Sequence, residues 1–497
     1  MANLLASIEG KISDLKVLDY RTLRAILLAT VLLLAAYTTF FRLGDRDWES
    51  DEPIYRDAGL EYISGNFSSN LEHPLLAKYI LGITQIVLGS SEAQAVRIPA
   101  ATATLLTGLV LFAFARRVAG YWTGVLALAL WTISPLTLVF GRLAFLDIFM
   151  VFFSTLALYL GWRWAETHSW RFATFAGVAI GLAAASHSVG ILFLLAILLA
   201  GLLNLGVSRK FIFQSMLVGL AAAATALATY IPTGSRTFSL IRDMFAHQSE
   251  HGAKGHLVRL NHVPYQFPPW WAHLWWQWDF YGSLAMLSLG VAIAIALLRR
   301  QSLEIYLLAA ALVPLLFLSF YIPFKLPRYF FYWQPPLILL LALAAEKLAG
   351  RRTVVGAISA IFLLLPFGYL GFQTIQATSH LQPGPYRTAT EYLKDTGRDR
   401  GTVLVWGIGR VIGADLPEAK IITSVPEDAQ QREKIEAVIE DIKFSKGNPD
   451  PGVKEYLETN QAKFDFAYKA TGLSKQDKFA PPISKTDIRI YARKPDR

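Results

Sequence analysis

About eleven runs of roughly twenty apolar residues pass through this chain, and runs of that length read as helices that cross a bilayer. They fall near 23–43, 93–115, 119–139, 145–162, 171–186, 189–205, 211–232, 281–298, 304–322, 330–349 and 353–372. Across 497 residues the hydrophobic share is 54%, above that of a typical soluble domain. Only 17% of residues are charged, so each charged position carries information. There is no cysteine, which excludes disulfides and thiolate metal sites.

The net charge of +10 is largely a topology signal and forms no nucleic-acid stripe. Lys11, Lys16, Arg21 and Arg24 precede the first run. Arg116/Arg117, Arg163/Arg171, Arg209/Lys210, Arg299/Arg300 and Lys347/Arg351/Arg352 then occupy alternate connections. With eleven crossings they all share one side, and basic loops mark the cytoplasm. Residues 1–22 lack a cleavable signal. Leu4, Leu5, Ile8, Ile12 and Leu15 recur at helical spacing, as in a segment lying on the cytoplasmic membrane surface. The division expected is therefore 1–22 interfacial, 23–374 transmembrane, and 375–497 a soluble α/β domain outside the membrane. In that tail "TVLVW" and "IRIYARK" read as strands and "PEDAQQREKIEAVIEDIKF" as a helix.

The outer side also receives 44–75, 140–147, 233–280 and 323–328. The first of these opens with Asp45, Asp47, Glu49, Asp51 and Glu52. "SDEPIYRDAGLEYIS" has the repeat of a short surface helix, with Asp51 and Glu52 at its start, where free N–H groups favour carboxylates. Capping accounts for one or two acids, but not for the whole cluster beside His73 and Lys78. Residues 76–89 read as a second interfacial helix, because a crossing there would turn every basic loop outward. Arg142 with Asp147, and Lys325 with Arg328, stand at two other helix mouths. Each cation alone fits a side chain reaching for headgroups. Together they break the charge rule on the outer side, and ionisable residues near membrane depth usually mark a site. One chemistry fits them all. Cations hold a phosphate anchored in the bilayer and stabilise it as a leaving group, while a carboxylate deprotonates a hydroxyl acceptor. A base opposite the leaving group inverts the sugar carbon.

In order, the acidic pair, "EHP", a lysine, "RL..LD" and "K..RY" resemble the protein O-mannosyltransferases and lipid A aminoarabinose transferases, polyprenyl-phosphate-dependent glycosyltransferases of the GT-C fold. The resemblance spans about 20–345. It implies a polytopic α-helical membrane enzyme with two juxtamembrane helices in its first outer loop. Asp51 would be the catalytic base, Glu52 its companion and Asp147 a second active-site acid. Glu72, His73, Lys78, Arg142, Lys325 and Arg328 would face the donor sugar phosphate. The donor would be a polyprenyl- or dolichyl-phosphate sugar, and the acceptor a hydroxyl of protein, lipid or glycan on the extracytoplasmic face, with no cofactor required. "HPLLAK" has Leu75 where protein mannosyltransferases commonly carry a second proline.

Other motifs say less. "PPWWAHLWWQW" reads as an interfacial aromatic belt. His247 and His251, with Glu72, are an alternative divalent-metal set, although Gly252 and Gly255 suit a helix poorly there. "WGIGRVIG" follows a strand but lacks the acid of a dinucleotide site, so a turn is expected. The competing function classes are a metal-dependent oligosaccharyltransferase using a lipid pyrophosphate, and a transporter. A transporter would place its polar residues near the midplane.

Overall fold

The computed structural model describes residues 20–255, 257–261, 263–323, 325–350, 353–447, 450–472 and 486–494. Most of the surface segment expected at 1–22, the His256 position and the His251 side chain lie outside them.

Among the described residues eight helices are long and apolar enough to cross a membrane: Arg21–Phe40, Ala93–Ala119, Leu146–Thr167, Ser188–Leu205, Arg209–Ala228, Ala272–Arg299, Ser302–Phe320 and Val354–Ser379. The other three expected spans are helical but shorter. Tyr121–Thr132 stops before Ser134, whose hydroxyl accepts from Leu136 N (3.3 Å) and caps the new helix Pro135–Phe140. Trp170–Ser186 packs closely along Arg209–Ala228, because Gly177 and Gly181 bring its backbone against the carbonyls of Val218 and Ala222. Gln334–Ala349 starts on Pro335 and Pro336, which suit a first helical turn, and is buried along most of its length.

The first outer loop carries two short helices, Glu52–Ile63 and Leu76–Leu88. They touch at Gly59 and Gly82. A Cβ on Gly59 would lie 2.6 Å from the Lys78 carbonyl oxygen, so only glycine permits this approach. At 13 residues Leu76–Leu88 is too short to span. It turns Ile83, Ile86 and Val87 outward, as a helix lying at a bilayer surface would.

Strands β1 (Val258–Leu260) and β2 (Val263–Tyr265) form an antiparallel hairpin in the long outer loop. The tail holds β3 (Thr402–Trp406), β4 (Lys420–Ile422), β5 (Ile435–Asp441), β6 (Phe464–Ala470) and β7 (Ile488–Arg493), in the order β4-β3-β5-β7-β6. β3 runs parallel to β4 and β5, and β7 antiparallel to β5 and β6. The helix expected over 426–444 is corrected: only Ala429–Glu433 and Ile442–Gly447 are helical, with β5 between them. Its β-branched Ile435, Val438 and Ile439 are buried at the centre of a sheet covered on both faces, and that packing outweighs the helix-favouring glutamates.

The tail sits directly on the first outer loop. Trp48 Nε1 donates to Asp415 Oδ1 (2.9 Å), and Arg387 N to Asp47 Oδ1 (2.9 Å). The Arg387 guanidinium donates to the Gly44 carbonyl, and Arg56 Nη1 to that of Ala414 (3.2 Å).

Candidate active site

Adjacent residues on one helix start do opposite work. Asp51 and Glu52 are successive, so their side chains leave the helix about 100° apart. Glu52 points inward and is fully buried. It pairs bidentately with Arg97, at 2.8 Å to Oε1 and 2.6 Å to Oε2. Ala144 N (2.7 Å) and Glu49 N (2.8 Å) supply one further hydrogen bond to each oxygen. Arg97 also donates to the carbonyls of Leu43, Arg46 and Asp47. This pair ties the first outer loop, helix Ala93–Ala119 and the 140–147 loop together. The expectation that Glu52 accompanies the base in catalysis meets a saturated carboxylate, which has no lone pair to offer a proton. Arg97 was missed in the sequence. Its signal is a lone arginine at the outer end of an apolar helix.

Asp51 faces the other way. Its Oδ2 accepts from Arg328 Nη1 at 2.8 Å. Arg328 Nε lies 3.7 Å from Asp147 Oδ2, and Tyr332 OH donates to Asp147 Oδ1. The guanidinium stacks over Phe145, 4.7 Å from the ring centre. Three expected residues from three separate outer segments thus converge. Asp51 is 27% exposed, while Asp147 is nearly closed off at 5%. Burial acts to raise the Asp51 pKa, but the charges of Arg328 and, from the tail, Arg410 outweigh it and hold Asp51 below the usual aspartate value. Arg328 stays charged despite burial because Asp147, Tyr55 and Asp51 surround it.

Glu49 lies beside this group. Burial, then the charges of Glu52 and Asp51, push its carboxyl up to about 8. The folded protein therefore holds a proton that the unfolded chain releases near its ordinary value of 4.5. Stability is expected to fall as pH rises from about 5 through 8, by on the order of 2–4 kcal/mol. Glu49→Gln should flatten that slope and leave the variant more stable than wild type above pH 8. Thermal midpoints measured from pH 5 to 9 would reveal it, and equal slopes in the two proteins would rule it out.

The remaining expected residues divide. The His73 ring stands 5.8 Å from Tyr55 and 5.5 Å from His187, which is 5.8 Å from Tyr332. This aromatic row reaches Asp147 through Tyr332. His187 was also missed, its signal being a histidine between two apolar runs. Burial lowers its pKa, and nearby Asp147 only partly opposes that. Glu72 accepts from Asn70 Nδ2 at 2.6 Å. Lys78 was expected at the donor phosphate. It is fully buried and donates to Tyr62 OH (3.1 Å), Asn70 Oδ1 (3.1 Å) and the carbonyls of Asn70 and His73. Those partners leave it no free hydrogen for a phosphate, and burial brings its pKa down to about 7. Lys325 likewise donates to the Pro268 (3.0 Å) and Ile322 (3.1 Å) carbonyls, joining the 323–328 loop to the long outer loop. Arg142 does not lie on Asp147. It is buried and donates to the Phe41 carbonyl, while its Nε and Nη1 have no hydrogen-bond partner among the described residues. Burial, with Arg46 and Arg97 nearby, lowers it to about 9.

Among the described residues no group of three or more metal-ligating side chains is found. The alternative set of Glu72, His247 and His251 includes a side chain outside them. The glycines after β3 form a turn into helix Gly409–Asp415. Trp271, Leu274, Trp275 and Trp278 line an apolar cleft on the helix that starts at Ala272.

Residues 72–235 match the family model of dolichyl-phosphate-mannose-protein mannosyltransferases. A search of the curated proteins gives no significant match. Among solved structures, ArnT from Cupriavidus metallidurans in the apo state is 12% identical, with a TM-score of 0.60 over 94% of this chain and 97% of that one. The same protein bound to undecaprenyl phosphate gives a TM-score of 0.59 at 12% identity, with the same coverage. The archaeal oligosaccharyltransferase AglB from Archaeoglobus fulgidus, in complex with an inhibitory peptide and a dolichol-phosphate, is 14% identical. Its TM-score is 0.52 over 86% of this chain and 70% of that one. With a mannosyltransferase family match running over residues 72–235, and the ArnT fold over nearly its whole length, the chain has a GT-C-type membrane fold and is similar to the protein O-mannosyltransferases and to ArnT.

Proposed function

We propose that the protein transfers a single sugar from a polyprenyl- or dolichyl-phosphate donor to a hydroxyl acceptor, with inversion, at the extracytoplasmic membrane face. The observation that carries this reading is the convergence of Asp51, Arg328 and Asp147 from three outer segments. Asp51 is the general base. In the unliganded protein Arg328 neutralises it. An arriving phosphate competes for the guanidinium, while Asp147 and Tyr332 steady the other edge of the site. Release from Arg328 raises the basicity of Asp51, so donor binding itself prepares the base. Arg328 then stabilises charge on the departing lipid phosphate. Arg142, with two unpartnered N–H directions, is a second phosphate ligand. His73 and Glu72 line the approach. Glu52, Lys78 and Lys325 position backbone and do not touch substrate.

The multi-pass topology follows the basic loops. The N-terminus is cytoplasmic, residues 23–374 form the transferase domain, and 375–497 form an extracytoplasmic domain. The donor charge is balanced by arginine, so no metal is needed.

The test is release of free polyprenyl phosphate by purified protein from a panel of polyprenyl-phosphate sugars, with and without chelator. Metal-independent release from one donor supports the reading and names the sugar. Arg328→Ala is expected to raise the donor KM 10- to 100-fold, with a smaller change in acceptor KM. Turnover only of a pyrophosphate-linked glycan, and only with metal, would replace this reading with an oligosaccharyltransferase.

A further inference from the structure

The tail reaches the site with a cation that the transfer chemistry above does not use. Arg410 is the second residue of helix Gly409–Asp415, in the turn that leaves β3. In a sheet with parallel strands, ligands gather beyond the carboxyl ends, at the point where successive connections diverge. Here the chain leaves β3 for β4 on one side and returns to β5 on the other, so Arg410 stands at that point. The same short helix is fixed over the catalytic loop. Asp415 receives Trp48 and the Ala414 carbonyl receives Arg56, on either side of Asp51 in sequence.

Arg410 is exposed, and among the described residues no carboxylate forms an ion pair with it. Its charge still acts on Asp51. The helix that carries Arg410 is held at Trp48 and Arg56, so this cation stands on the tail side of the loop that bears Asp51. Asp51 itself keeps an exposed edge. Arg328 and Asp147 come from the membrane segments, whereas Arg410 comes from the aqueous domain. A donor held by its lipid occupies the membrane side. An acceptor attacking opposite the leaving group must come from the other side, past Arg410.

We propose that Arg410 is a specificity-determining residue that binds an anionic group, phosphate or carboxylate, on the acceptor, and so delivers the acceptor hydroxyl to Asp51. This rests on the transferase reading given above. It assigns the tail a direct part in the site and narrows the acceptor to a hydroxyl compound carrying negative charge.

The test uses the full chain in detergent and three probes: octyl glucoside, its 6-phosphate and octyl glucuronide. For each, the concentration that half-maximally changes the rate of polyprenyl phosphate release is measured. Wild type is expected to respond to one anionic probe at a concentration at least 10-fold lower than to the neutral one. The phosphate and glucuronide arms tell the two anions apart. Arg410→Gln should bring the ratio to about one. Because the chain has no cysteine, Arg410→Cys can be modified at that position alone. Aminoethyl methanethiosulfonate, which restores a positive charge, should recover part of the ratio, and the neutral methyl reagent should not. Equal responses in wild type, or discrimination that survives in Arg410→Gln, would overturn the proposal while leaving the transferase reading in place. No release by wild type from any donor would overturn both.

Discussion

Asp51→Asn is expected to reduce transfer by about 10²- to 10⁴-fold, the range for loss of a positioned general base. The fold should survive, because asparagine has the same shape and Arg328 keeps Asp147 as a partner. The variant should also show a split that a merely damaged protein would not. Removing the Asp51 charge frees Arg328 for the donor phosphate, so donor affinity should hold or improve while kcat collapses. Donor binding by equilibrium titration, set beside turnover and the thermal midpoint, measures all three. Full activity would remove Asp51 from the mechanism, and a parallel loss of donor binding would make it a binding residue.

The neighbouring position should fail in a different way. Arg97→Ala leaves the Glu52 carboxylate buried with no counter-charge, and stripping one partner from a buried pair costs about 3–5 kcal/mol. The expected signature is loss of thermal stability, or of recoverable protein, before any kinetic effect can be read. Glu52→Gln combined with Arg97→Gln should cost less than the sum of the single changes, since the two groups act as one unit. An Arg97→Ala protein as stable as wild type would show that the pair does not hold the loop.

These two outcomes also mark where the sequence stops being readable. Asp147 and Arg328 stood out because charge at a membrane edge is rare, and Asp51 because acids crowd one helix mouth. Such scarcity can be seen in a linear string. The different fates of Asp51 and Glu52 cannot, since they depend on which face of a single turn meets Arg97, 45 residues further on. Lys78 had the right place in the motif, but its ammonium is consumed by the loop that folds over it. The apolar runs gave the helices well because length alone sets them. Trp170–Ser186 matches its expected run, while Gln334–Ala349 came out shorter than 330–349 because residues 327–331 form a separate 3-10 turn before it. β5 was misread because its neighbours in the sheet, and not its own glutamates, decide its form.

The docking of the tail on the first outer loop also constrains how the chain threads the membrane. Trp48 follows the first span, Asp415 follows the last, and the two share a hydrogen bond. Both ends of that bond must be on one side, so the number of crossings between them is even. Eight long helices alone would leave seven crossings after the first, an odd number that puts the tail on the wrong side. With Leu76–Leu88 lying flat, the count comes right when either one or all three of Tyr121–Phe140, Trp170–Ser186 and Gln334–Ala349 cross. Parity thus allows nine or eleven spans and excludes eight, from one side-chain contact added to the long apolar helices. It also means that a chain inserted with one helix skipped could never close its own active site.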